Sequence, residues 1–215
     1  VLYINNGATV SVKDCRFNNN TAYYYGGAIL LNAAKLTLEN CNFTQNGVYD
    51  PATGSMNNKG NVIYAAAGAN LNITNSNFIR NQPSSKYGSN KDTDICYGGV
   101  IFMDQANVRV SNSTFISNSA SSKNTHNYGG VFYVTSTSTK GSQLFINHSS
   151  FINNSANKIE GTISPMGGVI YATGANSNII INDSSFTNNI AKSNDDVSTC
   201  GGAFYLDYNV KLQLT

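Results

Sequence analysis

The sequence predicts an all-β chain folded as a right-handed parallel β-helix of about six to seven coils. Two interleaved motifs and an unusual composition support this prediction. One motif is Phe with Asn three residues later, which occurs six times. The other is a pair of glycines followed by a short apolar strand, which occurs five times. The Phe motif returns every 26–37 residues, and such a period is typical of solenoids, in which each repeat forms one coil.

The composition favours many short strands joined by tight turns. The chain has 34 Asn and 19 Gly among 215 residues, and only 11% of the residues are charged. Asn and Gly favour turns, whereas the abundant β-branched and aromatic residues favour strands. The net charge of +2 is too small to indicate nucleic acid or an anionic membrane as a partner. No apolar run approaches the roughly 20 residues that a membrane-spanning helix needs.

The Phe-x-x-Asn motif predicts a buried aromatic stack and a row of structural amides. Its copies are Phe17/Asn20, Phe43/Asn46, Phe78/Asn81, Phe115/Asn118, Phe151/Asn154 and Phe186/Asn189. We expect the six Phe side chains to stack in the core. In stacked coils each Asn amide can bond the equivalent amides above and below it. The sequence therefore predicts a structural asparagine ladder at Asn20, Asn46, Asn81, Asn118, Asn154 and Asn189.

The glycines mark where each coil of a single β-helix segment begins. Glycine pairs stand at Gly26-Gly27, Gly98-Gly99, Gly129-Gly130, Gly167-Gly168 and Gly201-Gly202, and Gly60-Asn61 fills the remaining position. The predicted repeats are 1–25, 26–59, 60–97, 98–128, 129–166, 167–200 and 201–215, of which the first and last are incomplete. Neither end resembles the cap that an exposed solenoid edge requires. We therefore expect the chain to be a fragment of a longer array, with variable loops at one corner.

The strand after each glycine pair has an inner and an outer face. Residues such as Ile63 and Ile101 should face the core, because successive side chains alternate between the faces of a strand. The opposite face predicts an outer aromatic ladder at Tyr3, Leu30, Tyr64, Phe102, Tyr133, Tyr171 and Tyr205. A continuous aromatic stripe is more apolar surface than a monomer normally exposes.

The predicted binding face is therefore the ladder from Tyr64 through Phe102, Tyr133 and Tyr171 to Tyr205. If the loops Gly47–Lys59 and Gln82–Tyr97 cover it, Tyr64 and Phe102 should have low exposure within one chain. If a lateral assembly covers it, Tyr133 and Tyr171 should be buried only by neighbouring chains.

Two smaller sets of residues carry predictions of their own. Cys15 and Cys41 occupy the same position on consecutive coils, where later coils have Ser. A coil spacing of about 4.8 Å allows a disulfide and equally allows two free thiols. Among seven Asn-x-Ser/Thr sequences, Asn72 and Asn182 are the most exposed by strand and turn position, and they are the predicted glycosylation sites.

The motifs resemble a known repeat family. Gly-Gly-Ala-Ile at 26–29 and its variants, alternating with Phe-x-x-Asn, resemble the repeats of chlamydial polymorphic outer-membrane proteins. The Asn-rich setting is similar to that of adhesin-like surface proteins of methanogenic archaea. The resemblance covers nearly the whole chain and implies an extracellular or cell-surface β-helix that serves in adhesion or as a stalk. It implies other surface proteins, further copies of this chain or glycans as partners, and it brings no catalytic residues or cofactors.

Two alternatives stay open beside this interpretation, namely a carbohydrate-binding module and a non-catalytic part of a polysaccharide-degrading enzyme. Enzymes of that kind need clustered carboxylates. Asp104 and Asp207 occupy equivalent positions but lie three coils apart, at roughly 14 Å. The two histidines, His126 and His148, have no metal-ligand spacing. We therefore expect no enzymatic activity, no metal and no cofactor.

Overall fold

The structure is a computed structural model of the 215-residue chain. It describes residues 2–49, 58–83, 95–122, 126–136, 140–158, 164–194 and 198–215. Within these ranges every regular element is a β-strand, and every strand pairs in parallel with the equivalent strand of the neighbouring coil. The fold is therefore an all-β parallel β-solenoid, the class that the sequence predicts.

Three long sheets run the length of the solenoid. The first sheet contains β1 (Leu2–Asn5), β5 (Ile29–Asn32), β10 (Ile63–Ala66), β14 (Ile101–Asp104), β19 (Phe132–Thr135), β23 (Ile170–Ala172) and β27 (Phe204–Leu206). The second contains β2 (Thr9–Lys13), β6 (Lys35–Glu39), β11 (Asn70–Thr74), β15 (Asn107–Ser111), β20 (Gln143–Asn147), β24 (Asn178–Asn182) and β28 (Lys211–Leu214). The third contains β3 (Arg16–Asn18), β7 (Asn42–Thr44), β12 (Asn77–Ile79), β16 (Thr114–Ile116), β21 (Ser150–Ile152) and β25 (Ser185–Thr187).

Three short sheets close the corner between the third sheet and the first. After the asparagine ladder come β4 (Thr21–Tyr23) with β8 (Gly47–Tyr49), and β17 (Ser119–Ser122), β22 (Ser155–Lys158) and β26 (Ile190–Ser193). Just before the glycines come β9 (Asn58–Lys59), β13 (Cys96–Tyr97) and β18 (Asn127–Tyr128). The variable loops join these two groups of strands, so their length does not disturb the three long sheets.

The corners of each coil use residues in the left-handed backbone region. The turn after the second sheet has a positive φ of 44–53° at Asp14, Asn40, Asn75, Asn112, His148 and Asp183. Asn and Asp tolerate this conformation better than other non-glycine residues. The first glycine of each pair also has a positive φ, for example +66° at Gly129. A Cβ there would lie 1.9 Å from the Phe132 carbonyl oxygen, so only glycine fits.

The core is a stack of apolar side chains between the three long sheets. Phe43, Phe78, Phe115 and Phe151 are fully buried, and neighbouring rings stack with centroids 4.7–4.8 Å apart. The inward residues of the first sheet, such as Ile63 and Ile101, are also fully buried. The predicted inner and outer faces of that sheet are therefore confirmed.

Candidate functional site

The outer aromatic ladder lies on the surface of the first sheet, in the predicted register. The sheet aligns Tyr64, Phe102, Tyr133, Tyr171 and Tyr205 in one row. Their rings stack nearly parallel, with successive centroids 5.1, 5.4, 5.2 and 5.2 Å apart. Because the strands are in register, each ring meets an equivalent ring one coil away.

A second row of side chains, not predicted from the sequence, faces this ladder. It consists of the residue just before the first glycine of each coil, and we call it the pre-glycine ladder. Its members are Tyr25, Lys59, Tyr97, Tyr128, Met166 and Cys200, which pair in this order. The left-handed turn at each glycine directs this side chain outward, back across the first sheet.

Four of these side chains contact the outer aromatic ladder one coil further on, namely Tyr25, Lys59, Tyr97 and Tyr128. The ring centroids of Tyr97 and Tyr133 are 4.6 Å apart, and those of Tyr128 and Tyr171 are 4.4 Å apart. The Lys59 ammonium lies 5.0 Å from the Phe102 ring centroid. These distances are within aromatic and cation–π contact. The two rows together form a two-layer aromatic corner.

The cover lowers the solvent exposure of part of the outer aromatic ladder. Phe102 is 3% exposed and Tyr171 is 8% exposed within a single chain, whereas Tyr64, Tyr133 and Tyr205 are half-buried. The low exposure of Phe102 agrees with cover from within the chain, whereas Tyr64 stays half-buried. The expectation that only neighbouring chains would bury Tyr171 is wrong. Binding by the ladder stays a prediction.

The cover over Phe102 and Tyr133 comes from Lys59 and Tyr97. These are the last residues of the two long loops, and they lie in the short strands β9 and β13. Residues 50–57 and 84–94 of those loops lie outside the described residues.

Burial changes the acid–base behaviour of this corner. It raises the pKa of the phenols of Tyr64, Tyr97, Tyr128 and Tyr133 above the ordinary value, and that of Tyr171 to about 12. A phenolate without its hydration shell is disfavoured, so the neutral form persists. Burial also raises the pKa of the Asp104 carboxyl, and the nearby Lys59 ammonium opposes that rise.

The asparagine ladder is a continuous chain of hydrogen bonds through the solenoid. The Asn118 Oδ1 accepts from the backbone N–H and the side-chain amide of Asn81, at 3.0 and 2.9 Å. The Asn118 Nδ2 donates to Asn154 Oδ1 and to the Phe78 carbonyl oxygen, at 3.0 and 2.9 Å. These bonds use all the donors and acceptors of the side chain. The same pattern links Asn20, Asn46, Asn81, Asn118, Asn154 and Asn189.

A parallel row of hydroxyl and thiol groups lies at the start of the third sheet. The Ser113 Oγ donates to the Ser111 carbonyl oxygen at 2.8 Å and accepts from the Ser76 N–H at 3.1 Å. Cys15 and Cys41 continue this row in the first two coils. All four cysteines are free thiols in the structure. Burial raises the pKa of the Cys41 thiol, which makes it a poor nucleophile.

The two predicted glycosylation sites differ in accessibility. Asn72 is exposed on the outer face of the second sheet. Asn182 is half-buried, and its Oδ1 accepts a hydrogen bond from the Thr215 hydroxyl. Glycosylation at both positions stays a prediction, with Asn72 the more accessible acceptor.

In the part of the chain that the structure describes, no three His, Cys, Asp or Glu side chains approach closely enough to hold a metal ion. At neighbouring turns, the Nε2 of the exposed His148 lies 3.6 Å from a carboxylate oxygen of the exposed Asp183.

No helix among the described residues is long and apolar enough to cross a membrane.

Comparison with known proteins identifies one repeat. Residues 14–32, which include Phe17, Asn20 and the Gly26-Gly27 pair, match the Chlamydia polymorphic membrane protein repeat. Together with the parallel solenoid, this match shows a β-helix repeat of the chlamydial polymorphic membrane protein type. That repeat family indicates a surface or outer-membrane protein. The chain matches no curated protein and no solved structure.

Proposed function

We propose that this chain is a non-catalytic, surface-exposed β-helix segment that acts as an adhesin or as a structural stalk. The observation that carries the proposal is the set of hydrogen bonds that polar side chains make between neighbouring coils. The amides of the asparagine ladder and the hydroxyls of the serine row bond neighbouring coils, as at Asn118 and Ser113. Side chains committed in this way hold the rod together and are not available for chemistry.

The geometry of the rod supports a role as a spacer or as a scaffold that presents loops. In-register coils give a rod whose length grows by about 4.8 Å per coil, and variable loops leave the rod at one corner. Such a rod can present loops without changing its core. The proposed partners are other surface proteins or further copies of this chain.

Labelling of intact cells tests the surface location. Antibodies raised against the purified chain should label unpermeabilised cells of the source organism, and protease treatment of intact cells should remove the signal. An antibody against a cytoplasmic protein of the same cells serves as the control. Labelling that requires permeabilisation would contradict the proposal.

A second experiment separates a scaffold from a polysaccharide-degrading enzyme. The purified chain should release no reducing ends from pectin, xylan or β-glucan, with or without added calcium. Sustained release that survives repurification would show that the chain is catalytic.

A further inference from the structure

A strip of tyrosines crosses the first coils beside the covered aromatic corner. We define the tyrosine strip as Tyr49, Tyr23, Tyr24, Tyr25 and Tyr64, in the order in which their rings meet. Successive ring centroids are 4.5, 6.3, 6.2 and 4.9 Å apart. Unlike Phe102 and Tyr171, the strip is open at its centre, since Tyr23 is 55% exposed and Tyr25 is 40% exposed.

An unusual backbone conformation produces this arrangement. Three consecutive residues of a strand would point to alternate faces. Tyr24 instead has a φ of +60°, and the Tyr25 N–H donates to the Tyr23 carbonyl oxygen at 2.7 Å. The left-handed turn brings the rings of Tyr23 and Tyr25 into contact with Tyr24 on one surface. A bulky residue rarely adopts this conformation, and the equivalent residues of the other described coils do not have it.

The charges near the strip favour an uncharged ligand. The strip itself contains no Asp, Glu, Lys, Arg or His side chain. The Lys59 ammonium lies 5.8 Å from the Tyr25 ring centroid, and its charge opposes the rise that burial causes in the pKa of the Asp104 carboxyl. A cation with a carboxyl group in its neighbourhood offers less attraction to an anionic ligand.

From these observations we propose that the tyrosine strip binds a neutral oligosaccharide, whose sugar rings stack on Tyr23 and Tyr25. A pyranose has an apolar C–H face that matches an exposed aromatic ring and a rim of hydroxyls that can bond tyrosine hydroxyls. Tyrosine presents both an apolar face and a polar tip at low entropic cost. The proposal deepens the proposed function by naming a class of partner, and its biological setting rests on the surface location.

Calorimetric titration of the purified chain tests the proposal independently of location. The probes are neutral hexasaccharides of cellulose, xylan, mannan and β-1,3-glucan, with hexagalacturonate as the acidic comparison. At least one neutral probe should bind with a Kd below about 1 mM and should change the tyrosine fluorescence, since the chain has no Trp. Absence of binding by every neutral probe, or tighter binding of hexagalacturonate, would overturn the proposal.

Matched variants locate the site. Tyr23→Ala should weaken binding by about tenfold or more, equivalent to about 1.4 kcal/mol, while circular dichroism and the thermal midpoint stay unchanged. Tyr23→Leu keeps apolar bulk without a ring and should weaken binding similarly, whereas Tyr23→Phe should retain most of it. Tyr208→Ala, at a tyrosine that is 71% exposed at the other end of the solenoid, is the control. Equal losses from Tyr23→Ala and Tyr208→Ala would refute the assignment.

Discussion

Asn81 donates both its backbone N–H and its side-chain amide to a single atom, the Oδ1 of Asn118 on the next coil, at 3.0 and 2.9 Å. Both residues are fully buried. One oxygen therefore satisfies two donors that water cannot reach. Such a bond is worth more to the fold than an exposed one, because removing the acceptor leaves both donors desolvated and unpaired.

The first prediction concerns the loss of that acceptor. Asn118→Ala should lower the free energy of unfolding by at least about 2 kcal/mol, since each unpaired buried group costs about 1–3 kcal/mol. Urea unfolding of the purified chain measures the change. Asn20→Ala is the matched control, because half-buried Asn20 donates only to Asn46 at the end of the ladder. Equal losses for the two variants would mean that the buried amides are not the source of the stability.

The second prediction concerns the aromatic stack. Phe115 is fully buried between Phe78 and Phe151, with ring centroids 4.7 and 4.8 Å away. Phe115→Ala should cost about 3–5 kcal/mol, because it removes the transfer free energy of the ring and leaves a cavity. Phe186 stacks on Phe151 and meets the Phe204 ring edge-on. Because Phe186 is only half-buried, Phe186→Ala should cost less. An unchanged denaturation midpoint for Phe115→Ala would show that the stack is not the core.

The fold was predictable because its constraints are local and repeated. A Cβ at Gly129 would clash with the Phe132 carbonyl oxygen, so every coil requires a glycine at the first position of the pair. The amide of Asn118 has partners one coil above and one below, so its position is fixed too. Constraints that recur at every coil appear in the sequence as a motif.

The covered corner was not predictable to the same degree. The pre-glycine ladder mixes Tyr97 with Lys59, Met166 and Cys200, so its members share no residue type. These residues also follow loops of variable length, so no fixed spacing connects them to the preceding motif. Only an alignment of the repeats on their first glycine shows that these residues occupy one position of the coil. The left-handed conformation of Tyr24 has no counterpart in other coils and therefore left no pattern.

The third prediction is a loss of stability at alkaline pH. Burial raises the pKa of Tyr171 to about 12 in the folded chain, whereas an unfolded phenol titrates near about 10. The folded state therefore holds its phenol proton where the unfolded state has lost it. The stability from this group is complete below about pH 10 and decreases as the pH rises from about 10 to 12.

Urea midpoints measured at several pH values between about 8 and 11 check this expectation. Tyr171→Phe has no phenol proton to lose, so the urea midpoint of this variant should decrease less as the pH rises. Tyr208→Phe, at an exposed ring, should show the same decrease as the wild type. A wild-type midpoint that stays constant through this range would contradict the burial of the phenols.

The last prediction tests whether a coil is an independent unit. In the first sheet Met103 aligns with Val134, and both side chains are fully buried. Deleting residues 103–133 therefore joins Phe102 to Val134 and keeps the alternation of inner and outer side chains. The shortened chain should fold into a solenoid with one coil fewer. Its unfolding should stay cooperative, with a modestly lower midpoint, because stability in a solenoid is close to a sum over units and their interfaces.

The matched control deletes one residue fewer. Deleting residues 103–132 joins Phe102 to Tyr133, which places the tyrosine at the buried position of Met103. A shift of one residue moves side chains to the wrong face of a strand. Circular dichroism and urea unfolding should show a folded chain for the first deletion and a strongly destabilised or unfolded chain for the second. Similar stability of the two would mean that the inner and outer faces of the first sheet do not set the register between coils.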